Sequence, residues 1–409
     1  MSLTFPLPPQ EELAPGSEVN PGQARFPEYG RYLEDFAPGQ VLRHPRGFTV
    51  DAGLAKAFAG AFQQANPLYL NSEYATAHGF PRCPVCPQLV FNLVLSLGVQ
   101  NDSEKAMANL GYYRARFVRP VYPDDTIRSL TRVRSRRERG EGKPGIVHLE
   151  TLGLNQWSEV VLQYERKIMV MPRRKGGSPG PTPAPTPVSG DTAGPSGAAA
   201  RERSDFPWQE SPPYELPVTR RSFPAGLTGQ GTYLESFRKG DIVVHANGRT
   251  ITDEHMGWTA IVGNTHPLHT DRVYSTGLSG AMSGEPIVYG GLVFAWLEGL
   301  ASRDVSENAL WDLGFTEGYH TQPVQAGDTV AALTRVLDIA PAPAALPSAG
   351  ILTVQLVGVK NMTAAKAFEQ FGADLFVKEN DKKDRGKEKI GAKIFEIERR
   401  LLLKRRPSL

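Results

Sequence analysis

The feature that most constrains this chain is that its two halves repeat each other. "GRYLEDFAPG" at 30–39 returns as "GTYLESFRKG" at 231–240, and "FQQANPLYLNSEYA" at 62–75 returns as "VGNTHPLHTDRVYS" at 262–275. "RFVRPVYPDDTI" at 116–127 matches "YHTQPVQAGDTV" at 319–330, and "VVLQYERKIMVMPRR" at 160–174 matches "KIFEIERRLLLKRRP" at 393–407. Matches that recur in one order imply a tandem duplication of a single domain. Between the copies lies "RRKGGSPGPTPAPTPVSGDTAGPSGAAARERSD", dense in Pro, Gly, Ser and Ala and with almost nothing to bury, which reads as a disordered linker. The expected domains are 26–172 and 225–407, joined by a linker over 173–212, with the highly charged segment 378–391 as a solvated hairpin insert in the second copy.

Each copy has the same plan. A capped segment follows Val50-Asp51 or Thr252-Asp253, then comes a proline-bearing turn, then a long apolar helix, "LVFNLVLSLG" from Leu89 or "LVFAWLEGL" from Leu292. Stretches such as "DTIRSLTRVRS", "IVHLETLGLNQ" and "EVVLQYERKIMVM" are alternating or β-branched between turn residues, and so read as strands. One buried helix with several antiparallel strands per copy predicts an α+β fold. A helix apolar on most faces needs a curved sheet around it, and the two copies are expected to join their sheets edge to edge.

Composition excludes several function classes. At 409 residues and 40% hydrophobic content the chain can bury a large core, and a formal net charge of +3 gives little reason to expect nucleic acid as a partner. "MSLTFPLPPQEELAPG" lacks a basic start followed by an apolar core, and no later run reaches membrane-spanning length, so a cytoplasmic protein with no membrane partner is expected. Cys83 and Cys86 in "CPVC" would need two more ligands to make a zinc site, and read as structural.

The chemistry concentrates in "GNTHPLH", Gly263 to His269. Two histidines three apart suit a metal, an acid/base site or an ordinary turn. The proline between them and the lack of a neighbouring cysteine or acid argue against metal. The duplication acts as an internal control: Gln64 stands where Asn264 does, Asn66 where His266 does and Tyr69 where His269 does, while Pro67-Leu68 and Pro267-Leu268 persist. Shape is common to both copies, whereas acid/base capacity belongs to the second. At the helix start Gly290 is matched by Pro87, which has no N–H, so only the second copy offers a backbone donor for a developing oxyanion. Gly290-Gly291 also suits close helix–sheet contact, and the two readings stand side by side.

With these residues in hand the chain resembles the MaoC-like dehydratases, double hot-dog members of the type 2 enoyl-CoA hydratase family. Their Gly-Asp-x-Asn-Pro-Leu-His pattern lies over Gly263 to His269, and "PVYPDDT" and "PVQAGDT" resemble their Pro-Val-x-x-Gly-Asp-Thr segment. "ANLGYYRARFVRPVYPDDTI" and "GLNQWSEVVLQY" are similar to segments of the mesaconyl-CoA hydratases, also called β-methylmalyl-CoA dehydratases, in which an Asn-Thr pair replaces the general family's aspartate, as Asn264-Thr265 does here.

The resemblance implies tandem hot-dog domains, each sheet wrapping a long central helix. It also implies a hydro-lyase acting reversibly on an α,β-unsaturated acyl-CoA, with mesaconyl-CoA to β-methylmalyl-CoA as the first reading. A general (R)-specific 2-enoyl-CoA hydratase is an alternative, and a thioesterase or non-catalytic acyl-CoA-binding protein is the rival of another class. In that reading His269 is the base, Asn264 positions water and the Gly290 N–H holds the thioester oxygen, with Gly291, Tyr289, His266 and Arg272 binding substrate. Asp253, Asp271, Glu285 and His269 itself remain open as the group that returns the proton, and His320 joins His266 and Arg272 as candidates for a substrate carboxylate. Arg166, Lys167, Lys404 and Arg405 are candidates for the CoA phosphates. No cofactor and no metal is expected, and a homodimer is compatible.

Overall fold

A computed structural model describes residues 22, 24–173, 206–218, 223–224, 226–229 and 231–407. The first copy supplies β1 (Val41–Thr49), β2 (Ala106–Phe117), β3 (Thr126–Arg137), β4 (Gly145–Leu154) and β5 (Val160–Val170), and the second β6 (Ile242–Thr250), β7 (Ala309–His320), β8 (Thr329–Pro341), β9 (Ala349–Lys360) and β10 (Lys393–Lys404). All ten join one antiparallel sheet in the order β1-β3-β4-β5-β2-β7-β10-β9-β8-β6. The order of the second five mirrors the first about the β2–β7 contact, so the two sheets meet edge to edge as the sequence predicts.

The first copy's helices are α1 (Ala52–Ala61), α2 (Ser72–Ala77) and α3 (Pro87–Gly98). The second copy has α4 (Asp253–Met256), α5 (Trp258–Ile261), α6 (Arg272–Thr276), α7 (Gly290–Val305) and α8 (Ala364–Phe371). Every residue of α3 is buried, and proline stands at its first position, where the missing N–H costs no intrahelical bond. α3 and α7 share one core: Phe91 meets Phe294 and Phe315 edge-on, at 6.2 and 5.6 Å between ring centroids. Aromatic pairs in this geometry add to the area they bury.

The seam between copies is short and tightly specified. Tyr112 pairs with Gly318 and Tyr113 with Glu317. The buried Trp311 indole donates across the seam to the Phe117 carbonyl at 2.8 Å. Gly111 and Gly314 hold equivalent places in β2 and β7, with φ of +145° and +110°. A Cβ on Gly314 would lie 2.1 Å from the Ala115 carbonyl oxygen. Both the backbone angle and the approach of main chain to main chain therefore require glycine.

Two expectations are corrected here. Of the linker read over 173–212, residues 174–205 lie outside the described residues, but 206–212 packs on the first copy: Phe206 is buried with Leu130 and Leu152, and Gln163 donates to the Gln209 carbonyl at 2.7 Å. The segment 378–391 is exposed over 383–389, as expected, but it is not a hairpin and its Glu379, Lys382 and Ile390 are buried. It runs as turns, including Lys383–Arg385, and its inner charge is paired: Lys382, fully enclosed, meets Glu379 at 2.6 Å, and Glu379 also lies 3.6 Å from the buried Lys393 of β10. Buried charge persists when each sign finds its partner. The segment packs with α8, whose Ala364 and Ala367 face Leu333, Val357 and Val359 of the sheet. No helix among the described residues is long and apolar enough to cross a membrane.

Gly314→Ala is expected to destabilise the protein by roughly 3 kcal/mol or more, because it adds both a strained φ and a backbone clash. Denaturant unfolding followed by Trp fluorescence measures it. A change below about 1 kcal/mol, within the range of an ordinary surface substitution, would mean that the seam tolerates displacement.

Candidate active site

The "GNTHPLH" turn is built from local hydrogen bonds. Gly263 takes φ +81°, and the Asn264 side-chain oxygen accepts the His266 N–H at 2.9 Å. His266 then caps the short 3-10 turn Pro267–His269: its Nδ1 accepts the Leu268 N–H at 3.1 Å, and its Nε2 donates to the Ala106 carbonyl at 2.8 Å. The first copy repeats this with other atoms. Asn66 accepts the Leu68 N–H at 3.0 Å and donates to the Ala309 carbonyl at 2.8 Å. Ala106 and Ala309 are the first residues of β2 and β7, so each turn fastens its own copy to the opposite strand. His266 is therefore a cap and a staple, and both ring nitrogens are engaged within the fold; its expected role as a substrate-binding cation is corrected.

His269 is oriented differently. Its Nδ1 lies 3.0 Å from the Ile287 carbonyl, which can only accept, so Nδ1 carries the proton and Nε2 keeps its lone pair. Burial pushes the His269 pKa down to about 3, with His266 and His320 reinforcing the shift, so the ring is neutral throughout the physiological range. The ring is half-buried by area and lines a cavity of about 450 Å³.

That cavity is formed by both copies. Leu95, Val99, Tyr112 and Arg166 come from the first, Asn264, His269, Tyr289, Gly290 and His320 from the second, and Asn380 and Lys389 from the charged segment. Polar atoms of these lining residues that are buried without a hydrogen-bond partner among the described residues include the Asn264 side-chain nitrogen, Arg166 Nε and His320 Nε2. Buried polar atoms are rarely left unpaired, so such a cluster marks a space shaped for a polar guest. Gly290 opens α7, and a Cβ there would lie 2.5 Å from His320 Nε2, which places that imidazole against the helix start. Burial holds the His320 pKa down to about 4.

The equivalent region of the first copy is closed. A gap of about 10 Å³ remains among Phe58, Phe62, Gln64, Cys86 and Glu298. Gln64 donates to Glu298 at 2.6 Å, where its counterpart Asn264 has a spare N–H. Cys86 is the residue before α3, and burial pushes its thiol up to about 12. Such a thiol is inert at neutral pH.

Of the residues singled out in the sequence, His269, Asn264, Gly290, Tyr289 and His266 line the cavity, and Gly291 and Arg272 do not. Gly291 is a contact glycine: its carbonyl accepts from Asn92 at 3.1 Å, and a Cβ there would fall 2.2 Å from the Asn92 oxygen. Arg272 is exposed and paired with Glu285 at 2.7 Å. Asp271 caps α6 by accepting the Tyr274 N–H at 3.0 Å, and Asp253 begins α4; neither these two nor Glu285 is among the lining residues. Lys404, offered for phosphates, is buried 3.2 Å from His78 Nε2. Sequence reasoning missed Tyr112 as a lining residue and offered Arg166 for the CoA phosphates, whereas it is buried on the cavity wall. The repeat of Arg166 as Arg399 was the available signal.

The family model for mesaconyl-CoA hydratase matches residues 21–193. The mesaconyl-CoA hydratase of Cereibacter sphaeroides is 32% identical over 335 residues, covering 82% of this chain and 90% of its own length. The chain belongs to the mesaconyl-CoA hydratase family. The β-methylmalyl-CoA dehydratase of Chloroflexus aurantiacus, 31% identical over 337 residues, covers 81% of this chain and 89% of itself. A crystal structure of a MaoC domain dehydratase from Chloroflexus aurantiacus superposes with a TM-score of 0.70 at 27% identity, covering 96% of this chain and all of its own. A Mycobacterium tuberculosis protein described as a double hot-dog superposes at 0.63 with 21% identity, over 91% of this chain and 98% of its own. The fold of this family member is the double hot dog.

Three imidazoles, the buried His44 and the half-buried His269 and His320, have pKa values pushed down to about 4, 3 and 4, against roughly 6.5 in the unfolded chain. The unfolded state takes up protons first as pH falls, so their neutral burial is free of penalty above pH 6.5 and progressively destabilising below it. The melting temperature is expected to fall between pH 6.5 and pH 4, and less steeply in His320→Phe, which installs the first copy's Phe117. Equal slopes in the two proteins would show that His320 is not held neutral.

Proposed function

We propose that this chain hydrates mesaconyl-CoA reversibly to β-methylmalyl-CoA, the reaction named for its relatives. One observation carries the reading: an imidazole clamped by the Ile287 carbonyl opens its bare nitrogen onto the cavity that also holds the unpartnered Asn264 amide. Water held by the Asn264 N–H gives a proton to His269 Nε2 as its oxygen bonds to the β-carbon of the enoyl thioester. Electron density moves to the thioester oxygen, which the Gly290 N–H at the start of α7 receives. A donor of this kind contributes about 3 kcal/mol of transition-state stabilisation.

A base whose pKa is pushed down to about 3 is always available but reluctant to stay protonated. The negative charge forming on the thioester stabilises the imidazolium, which offsets the desolvation felt in the empty cavity. His269 then delivers the proton to the α-carbon, since Asp253, Asp271 and Glu285 stand outside the lining. Asn264 positions and does not titrate. Both walls of the cavity come from one chain, so the reading needs no second copy.

His269→Ala is expected to lower hydration of mesaconyl-CoA at least about a hundredfold while leaving circular dichroism and melting temperature near wild type. Loss of enoyl-thioester absorbance measures it, with crotonyl-CoA run in parallel and a thiol reagent present. Release of free CoA thiol would make the protein a thioesterase. Faster turnover of crotonyl-CoA would make it a general 2-enoyl-CoA hydratase.

A further inference from the structure

Arg166, on β5, is paired across the sheet with Tyr112 of β2 and faces the same cavity as His269. Its exposure is only 2%, and its Nη2 donates to Asp102 at 2.6 Å and to Ser103 at 3.2 Å. Its Nε–H is buried and has no partner among the described residues. Asp102 is fully buried, with its second oxygen 3.9 Å from His44. His44 is kept neutral by burial, Asp102 opposing the shift and Arg166 and Arg31 adding to it, so Arg31 belongs to the same cluster. Arg31 is 7% exposed, its Nε–H is likewise unpartnered, and it makes no ion pair among the described residues. The carboxylate of Glu104 accepts from Thr265, and Arg46 and Lys105 are the cations that act on it.

The charge sum of this cluster is two guanidiniums against one carboxylate. A guanidinium does not shed its proton in a protein, so the surplus is permanent, and a buried surplus is costly until an anion meets it. The second copy supplies the contrast. Arg399, the counterpart of Arg166, is met by two carboxylates, Glu298 at 3.2 Å and Asp312 at 2.7 Å, and Thr232 stands in the place of Arg31. There the sign is reversed, and the gap beside it is closed. The cluster meets the open cavity through Arg166; Arg31 is not among the lining residues.

We infer that Arg166, reinforced by Arg31, binds a carboxylate carried by the acyl group, so that the cavity selects dicarboxylic over monocarboxylic acyl thioesters. The inference rests on the acyl-CoA reading above and assigns its specificity. The carboxylate accepts from the free Nε edge of Arg166, while Asp102 keeps the other edge oriented. In an enoyl thioester whose β-carbon bears the carboxylate, this grip fixes the carbon that water attacks.

The test is calorimetric binding of succinyl-CoA and butyryl-CoA, saturated esters of equal chain length, to the full chain. Wild type is expected to prefer succinyl-CoA by roughly tenfold or more, the size of a charge-assisted hydrogen bond. Arg166→Gln combined with Asp102→Asn, which leaves no unpaired acid, is expected to abolish that preference with butyryl-CoA affinity held within about twofold. Arg31→Gln, which leaves the Arg166–Asp102 pair intact, is expected to reduce it. An absent preference in wild type, or equal loss for both esters in either variant, would overturn the inference. Wild type that prefers succinyl-CoA yet hydrates neither mesaconyl-CoA nor crotonyl-CoA would sink the catalytic reading and leave the carboxylate site standing.

Discussion

The structure depends on main-chain contact between β2 and β7. Everything on the cavity side is placed relative to that seam, because each copy's proline turn is tied to the first residue of the other copy's seam strand. His266 reaches the Ala106 carbonyl and Asn66 reaches the Ala309 carbonyl. These bonds hold the "HPLH" turn over the partner sheet. His269, three residues past His266, then falls opposite Tyr112 and Arg166 of the other copy. Strand pairing supplies the frame, and two side-chain staples set the register of the "HPLH" turn against it.

With that frame fixed, the two interiors are free to differ. In the first copy Phe58, Phe62 and the Gln64–Glu298 bond fill the space, and Pro87 and Tyr69 remove the donor and the imidazole. In the second, Asn264 stands for Gln64, Tyr289 for Cys86 and Gly290 for Pro87, and all three line the cavity. A filled interior gains dispersion and apolar burial; an open one forfeits both and retains chemistry. The closed side therefore contributes stability that the open side gives up.

Much of this was legible in the residues. The repeat gave the edge-to-edge sheets, the family resemblance gave the double hot dog, and the first copy's Tyr69 for His269 and Pro87 for Gly290 pointed to the second half as the one with acid/base capacity. The misses have physical causes. Gly291 packs on Asn92 and Arg272 pairs with Glu285, contacts that sequence spacing does not reveal. His266 resembled a functional histidine because imidazole and carboxamide cap a turn equally well, and its match to Asn66 was the clue. Lys382 and Glu379 read as solvated because their pairing exists only once the chain has folded. Arg166 sits in an alternating charged strand, a pattern that ordinarily marks a wet face.

The closed first-copy gap has a consequence for how such a chain behaves as a unit. It is in effect an unequal pair of subunits locked into one polypeptide, so neither member can exchange for a twin and restore symmetry. On the proposed reading each chain carries one reaction chamber, and substitutions that suit only a scaffold or only that chamber can accumulate on their own side without compromise.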